Sequence, residues 1–122
     1  MTPTHASEAD PLAEIVSARA ARRLREFRRD ASAALPGRVA GVLLFGSRAR
    51  GDARQTSDYD VAVLVTGQVD RHAANDAITD AAYRHILAGI HIRPVMLPAD
   101  ALDDARPGSL ADMVARDGIA IP

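Results

Sequence analysis

The stretch Leu43–Val65, LLFGSRARGDARQTSDYDVAVLV, carries the information that decides the fold. Its first residues complete the almost unbroken apolar run Val39–Phe45, which Gly46 and Ser47 stop abruptly; this is the pattern of a strand buried on both faces. Its last residues, Tyr59–Val65, are apolar and β-branched again and predict a second strand. The intervening Ser47–Ser57 is polar and contains glycine, as a connecting loop should be.

Both strand ends carry groups suited to phosphate chemistry. Gly46 lets the backbone approach a ligand with no Cβ in the way, and Ser47 is expected to cap a short helix whose free N–H groups face outward and suit an anion. Arg48 and Arg50 follow at once, so a polyphosphate there would meet amide donors, a hydroxyl and two guanidinium groups. Asp58 and Asp60 enter the second strand two residues apart, which puts them on one face at about 7 Å between Cα atoms, with Tyr59 pointing the other way. Two carboxylates so close disfavour joint ionisation unless a cation lies between them. Mg²⁺, which takes one or two carboxylates together with substrate phosphates, is the natural partner.

Working outward, Pro11 stands where a helix can begin, and Leu12, Ile15, Val16, Ala20, Leu24, Phe27 and Ala31 recur at helical spacing as far as the break at Pro36-Gly37. Residues 1–10 read as a loose leader. After Thr66-Gly67, Asp70–Ala88 predicts a second long helix with Ala73, Ala74, Ala77, Ile78, Ala81 and Ala88 on one face, ending at Gly89. Ile90–Leu97 is a third strand, which Pro94 assigns to a sheet edge or a bulge. Residues 98–105 are expected to form one or two helical turns. Ser109 then caps a last helix running to Gly118, and Ile119–Ile121 adds a small strand. The order helix, strand, strand, helix, strand, helix indicates an α/β or α+β domain, and 122 residues fit one such domain over the whole chain.

Composition narrows the function classes. A net charge of −1 gives no global basic field, although all fifteen cationic side chains are Arg. Six of these lie between Arg19 and Arg29, where a solvated helix face explains them better than an RNA-binding one. The aromatic residues are only Phe27, Phe45, Tyr59 and Tyr83, too few for a base-stacking surface, so direct nucleic-acid binding is not expected. With no cysteine, disulfides, thiolate nucleophiles and zinc-thiolate sites are excluded. No apolar run reaches membrane-spanning length, and a cytoplasmic location is expected. His85 falls on the apolar face of the second helix as a hydrogen-bonded core histidine; His5 and His72 show no ligand spacing.

Gly46-Ser47, ten residues, then Asp58-Tyr59-Asp60 resembles the signature of the polymerase-β-like nucleotidyltransferase superfamily. The opening GSRARG and the ending SLADMVARDGIAI are similar to the minimal nucleotidyltransferases, single-domain proteins commonly encoded beside a HEPN-domain partner. The resemblance spans Gly37 to Ile121. It implies the nucleotidyltransferase fold, a small mixed β-sheet flanked by helices. It also implies that Gly46 and Ser47 contact the triphosphate, that Asp58 and Asp60 are catalytic ligands of one or two Mg²⁺, and that ATP or another NTP is the substrate. By the same resemblance the activity is transfer of AMP to a protein hydroxyl of a HEPN-domain toxin, with this chain as the antitoxin in a hetero-oligomer.

One departure from that pattern matters. The superfamily usually carries a third carboxylate on the strand after the second helix, but here the strand reads IHIRPVML. His91 and Arg93 share one of its faces, and either could turn toward Asp58 and Asp60. A catalytically inactive antitoxin that neutralises a HEPN partner by complex formation is therefore the alternative reading. A small-molecule modifier akin to aminoglycoside nucleotidyltransferases is weaker, because nothing in the sequence forms a second domain for an acceptor pocket.

Overall fold

The computed structural model describes residues 10–122. Helices α1 (Pro11–Ile15) and α2 (Ala18–Ala34) precede strand β1 (Val39–Phe45). A one-turn helix α3 (Ser47–Arg50) and strand β2 (Tyr59–Val65) follow. Helix α4 (Arg71–Leu87), strand β3 (Ile92–Pro98), helix α5 (Leu110–Asp117) and the two-residue strand β4 (Ile119–Ala120) complete the chain. The sheet order is β3-β2-β1-β4, with β1 antiparallel to β2 and β4, and β2 parallel to β3. This is the mixed, helix-flanked sheet expected, and β3 with its Pro94 does lie at an edge.

Strand alternation assigns the two faces of the sheet different work. Val42, Leu44, Tyr59, Val61, Val63, Val65 and Ile92 face the main core, which Leu24 and Phe27 of α2 and Ile78 and Ala82 of α4 complete. Phe45 and Ala62 face the other way, toward Val114 of α5. Asp60 has the parity of Ala62, so the fold itself directs this carboxylate toward the α5 side. In β1 both faces are covered only near its end, where Leu44 and Phe45 are buried; Ala40 is exposed, which corrects the expectation of burial throughout.

Other expectations need correction. The first helix is two helices: Val16 is extended, and Ser17 starts α2 by accepting a hydrogen bond from the Ala20 N–H at 3.1 Å. The apolar periodicity runs straight through this break, so only the capping serine could have signalled it. Of the leader, residues 1–9 lie outside the described residues, while Asp10 is paired with Arg25 of α2. In α4 the buried stripe is Ala74, Ile78, Ala82 and His85, and Ala73 is exposed, so the inward face is turned slightly from the expected one. Of residues 98–105, Pro98 ends β3 and 99–104 form successive turns rather than helix. Ser109 caps α5 as expected, accepting from the Asp112 N–H at 3.1 Å. Among the described residues no helix is long and apolar enough to cross a membrane.

His85 is fully buried where α4 crosses α2. Its Nε2 is 2.9 Å from the Asp30 carboxylate and its Nδ1 is 3.5 Å from an Arg23 nitrogen, which fits a neutral ring that donates at Nε2 and accepts at Nδ1. Phe27 meets the ring edge-on at 6.2 Å, and Arg84 donates to the same Asp30 oxygen at 2.8 Å. Burial pushes the His85 pKa below its ordinary 6.5, and nearby Arg84 and Arg23 push it the same way against the attraction of Asp30. For Asp30, burial alone would raise the pKa, but hydrogen bonds and charge from Arg84 and His85 outweigh it and hold the acid below 3.8.

Both shifts have the same consequence for stability. Below pH 6.5 the unfolded chain binds a proton at His85 that the folded chain refuses, so stability is lost as pH falls through that value. A second loss, from Asp30, sets in below pH 3.8. Thermal melts are expected to move to lower temperature between pH 7.5 and pH 5, and His85→Leu should flatten that part of the profile. An unchanged slope in the variant would remove His85 from the account.

Candidate active site

β1 ends at Phe45, which pairs with Asp60 of β2, and Asp60 in turn pairs with Arg93 of β3. Three neighbouring strands thus deliver a glycine bend, a carboxylate and a guanidinium to one end of the sheet. Gly46 has φ +75° and ψ −157°, a conformation essentially confined to glycine. A Cβ built there would lie 2.6 Å from Asp60 Oδ2, so the bend and the carboxylate are packed directly against each other.

Gly46, not Ser47, occupies the cap of α3, and no side chain bonds the helix start; this corrects the expected capping role of Ser47. Ser47 is instead the first residue of that turn, where backbone N–H groups have no acceptor within the helix. The Gly46 carbonyl accepts from Ala49 and Arg50 at 3.1 and 3.0 Å, which folds the bend tightly under the helix.

Asp58, just ahead of β2, and Asp60 within it are brought together, and one side chain engages both. Arg93 Nε donates to Asp60 Oδ1 at 2.8 Å, and a terminal nitrogen of Arg93 lies 3.7 Å from Asp58 Oδ2. Asp60 is the more enclosed acid, with 18 % of its side chain exposed against 41 % for Asp58. The Asp60 hydrogen bond, then the charges of Asp60 and Asp58, hold the Arg93 guanidinium still more firmly protonated than usual.

The two arginines after Ser47 go to different places. Arg50 pairs with Asp117 of α5 at 3.0 Å and with Asp52 at 3.4 Å, and these bonds raise its pKa further. It borders a cavity of about 420 Å³ together with Gly46, Asp60, Arg93 and an apolar wall of Phe45, Val95, Leu110 and Met113. Arg48 donates to the carbonyls of Ser57 at 2.9 and 3.2 Å and of Gln55 at 3.1 Å, and lies over the Tyr59 ring at 4.2 Å. Its guanidinium thus braces the loop that leads into Asp58, on the side of the sheet away from the 420 Å³ cavity. His91 precedes β3 and offers its carbonyl to the Tyr59 N–H at 2.9 Å. It borders a separate cavity with Arg48 and Tyr59, so of the two candidates on that segment only Arg93 reaches the acids.

Asp117 was not visible as a site residue in the sequence, where it is one charge on an amphipathic helix; its place beside Arg50 depends on how α5 lies on the sheet. Among the described residues no group of three or more His, Cys, Asp or Glu converges as a ligand cage. Two carboxylates two residues apart, both against Arg93 and one of them half-exposed, nevertheless suit a hard divalent cation that completes its shell with phosphate oxygens.

Comparison with known proteins bears on the fold and on the class of chemistry. A 42-residue segment is 48 % identical to the protein named "Putative protein adenylyltransferase" of Methanocaldococcus jannaschii, over 34 % of this chain. The matched segment spans 42 % of that relative's length, so less than half of the relative is represented. The fold is similar to that of a crystal structure described as "a putative nucleotidyltransferase from Sulfolobus solfataricus", with a TM-score of 0.59 and 20 % identity, covering 84 % of this chain and 78 % of that one. The family profile described as "Nucleotidyltransferase domain" matches residues 22–96. That span holds the glycine bend, both aspartates and Arg93, and it supports nucleotidyltransferase-type chemistry. The chain belongs to the nucleotidyltransferase domain family.

Proposed function

We propose that this chain is a Mg²⁺-dependent nucleotidyltransferase that moves a nucleotide, AMP from ATP, onto a hydroxyl of a protein, and that it serves as the antitoxin of a HEPN-domain toxin. The observation that carries the reading is the packing of Asp60 against Gly46 at the wall of a 420 Å³ cavity, with Asp58 held near it by Arg93. The adenylyltransferase name of the archaeal relative supports AMP as the group transferred and a protein as the acceptor. The HEPN pairing rests on the resemblance of the GSRARG and SLADMVARDGIAI segments.

In this reading Gly46 lets a phosphate oxygen come close to the backbone, and the Ser47 hydroxyl and N–H donate to it. Arg50, already fixed by Asp117, stands at the rim as a cation for the outer phosphates. Asp58 and Asp60 hold Mg²⁺, which when bound neutralises phosphate charge and favours ionisation of the attacking hydroxyl. The acceptor oxygen bonds to the α-phosphorus, the bond from that phosphorus to the bridging oxygen breaks, pyrophosphate leaves, and the hydroxyl proton passes to solvent. The exposed Leu110 and Met113 on the cavity wall give an acceptor segment an apolar surface to rest on.

Incubation with α-³²P-labelled ATP, Mg²⁺ and the HEPN protein encoded beside it is expected to label that protein. The Asp58→Asn, Asp60→Asn double variant should label nothing. The second reading, an inactive antitoxin that acts by covering its partner, is favoured by the neutralisation of the acids by Arg93. It predicts no label from the wild-type chain and undiminished neutralisation of the toxin by the double variant, a result that would remove the enzymatic proposal.

A further inference from the structure

Arg93 stands where a positive charge is needed. Its strand register sets it beside Asp60, and the following Pro94 restricts its backbone to the extended region, so the side chain leaves the sheet at a fixed place. It satisfies Asp60 Oδ1 and lies near Asp58 Oδ2, while Asp60 Oδ2 is against the Gly46 bend. Both oxygens of the enclosed acid thus have neighbours, and no third carboxylate or histidine converges there among the described residues. The donor set fits one divalent ion, held through the more open Asp58 and shared with Asp60, but not two. A second dication would have to sit beside a guanidinium and share the same two acids with it, which like-charge repulsion opposes.

We infer that the Arg93 guanidinium substitutes for a second divalent cation, so that the site takes nucleoside triphosphate with a single metal ion and with Arg93 as the other positive charge on the phosphates. The inference rests on the nucleotide-transfer reading above. Arg93 is 66 % exposed and borders the same cavity as Gly46 and Arg50, so the N–H groups not used by Asp60 are open to a ligand. A guanidinium suits the task because its planar fork can hold a carboxylate on one side and a phosphate on the other, which an ammonium does less well. The two acids and Arg93 carry a net charge of −1, and one dication turns this to +1, enough to favour the tetra-anionic triphosphate.

The test counts metal ions and measures binding, independently of turnover. Mn²⁺ is titrated into the purified chain with α,β-methylene-ATP, which cannot release pyrophosphate, and bound Mn²⁺ is counted by electron paramagnetic resonance. One nucleotide-dependent Mn²⁺ per wild-type chain is expected, and two for Arg93→Asp. Arg93→Ala should weaken binding of the analogue by about 10- to 100-fold, the usual size of a lost charge-assisted hydrogen bond. Arg93→Lys should recover part of that loss. Far-UV circular dichroism checks that each variant is folded, as expected for so exposed a side chain. Two Mn²⁺ per wild-type complex, or unchanged affinity in Arg93→Ala, would overturn the inference and leave the nucleotide-transfer reading standing. Failure of the wild-type chain to bind the analogue at all would overturn that reading, and the inference with it.

Discussion

Replacing Gly46 by alanine is expected to cost about 1–3 kcal/mol of stability and about 100-fold in the rate of nucleotide transfer. The stability loss comes from the backbone: φ +75° with ψ −157° is a conformation that a residue with a Cβ does not adopt without strain. The rate loss comes from the site. A new methyl group would lie 2.6 Å from Asp60 Oδ2, well inside contact distance, and 3.4 Å from its Cγ, so the carboxylate must swing away. That movement pulls on its 2.8 Å bond to Arg93 and misplaces the acid by a fraction of its own length, a displacement of the size that costs catalysts two orders of magnitude. Urea melts and label transfer measured on the same preparation should both fall. A variant as stable and as active as the wild type would show that the bend and the acid are not coupled.

Asp60→Asn is expected to separate these two effects. The substitution keeps the shape of the side chain and an oxygen that can accept from Arg93, so stability should change by no more than about 1 kcal/mol, the scale of a partly exposed ion pair. Transfer should fall by more than about 100-fold, because losing a residue that only orients a metal ligand costs about 10- to 100-fold and a ligand itself should cost more. The same change at Asp58, the more open acid, should give a loss in the same direction with the fold again intact. Substantial transfer by Asp60→Asn would mean that the carboxylate pair is not the reacting centre.

Much of this site was legible in the sequence because its main parts are local. An apolar run cut off by Gly46 fixes where β1 ends, and the two-residue spacing of Asp58 and Asp60 fixes their common face whatever the rest of the chain does. The direction in which a flexible side chain is spent is a different kind of information. Arg48 and Arg50 look equivalent as letters, yet a short turn sends one over the Tyr59 ring and the other toward Asp117. The pairing of Arg93 with Asp60 joins residues 33 apart through a parallel register, which local periodicity does not contain. The break at Ser17 was hidden for the opposite reason: apolar spacing continued across it, and a single capping hydroxyl decided the outcome.

Pro94 has an effect that reaches beyond the edge strand containing it. With no N–H at its centre, β3 cannot present a continuous row of donors along that margin, while the other margin of the sheet, β4, is only two residues long. Among the described residues neither flank therefore offers a long unbroken ladder for a further strand. Any protein that docks here must be recognised through side chains and surface shape, and a change in its sequence would be felt residue by residue rather than absorbed by a shared backbone ladder.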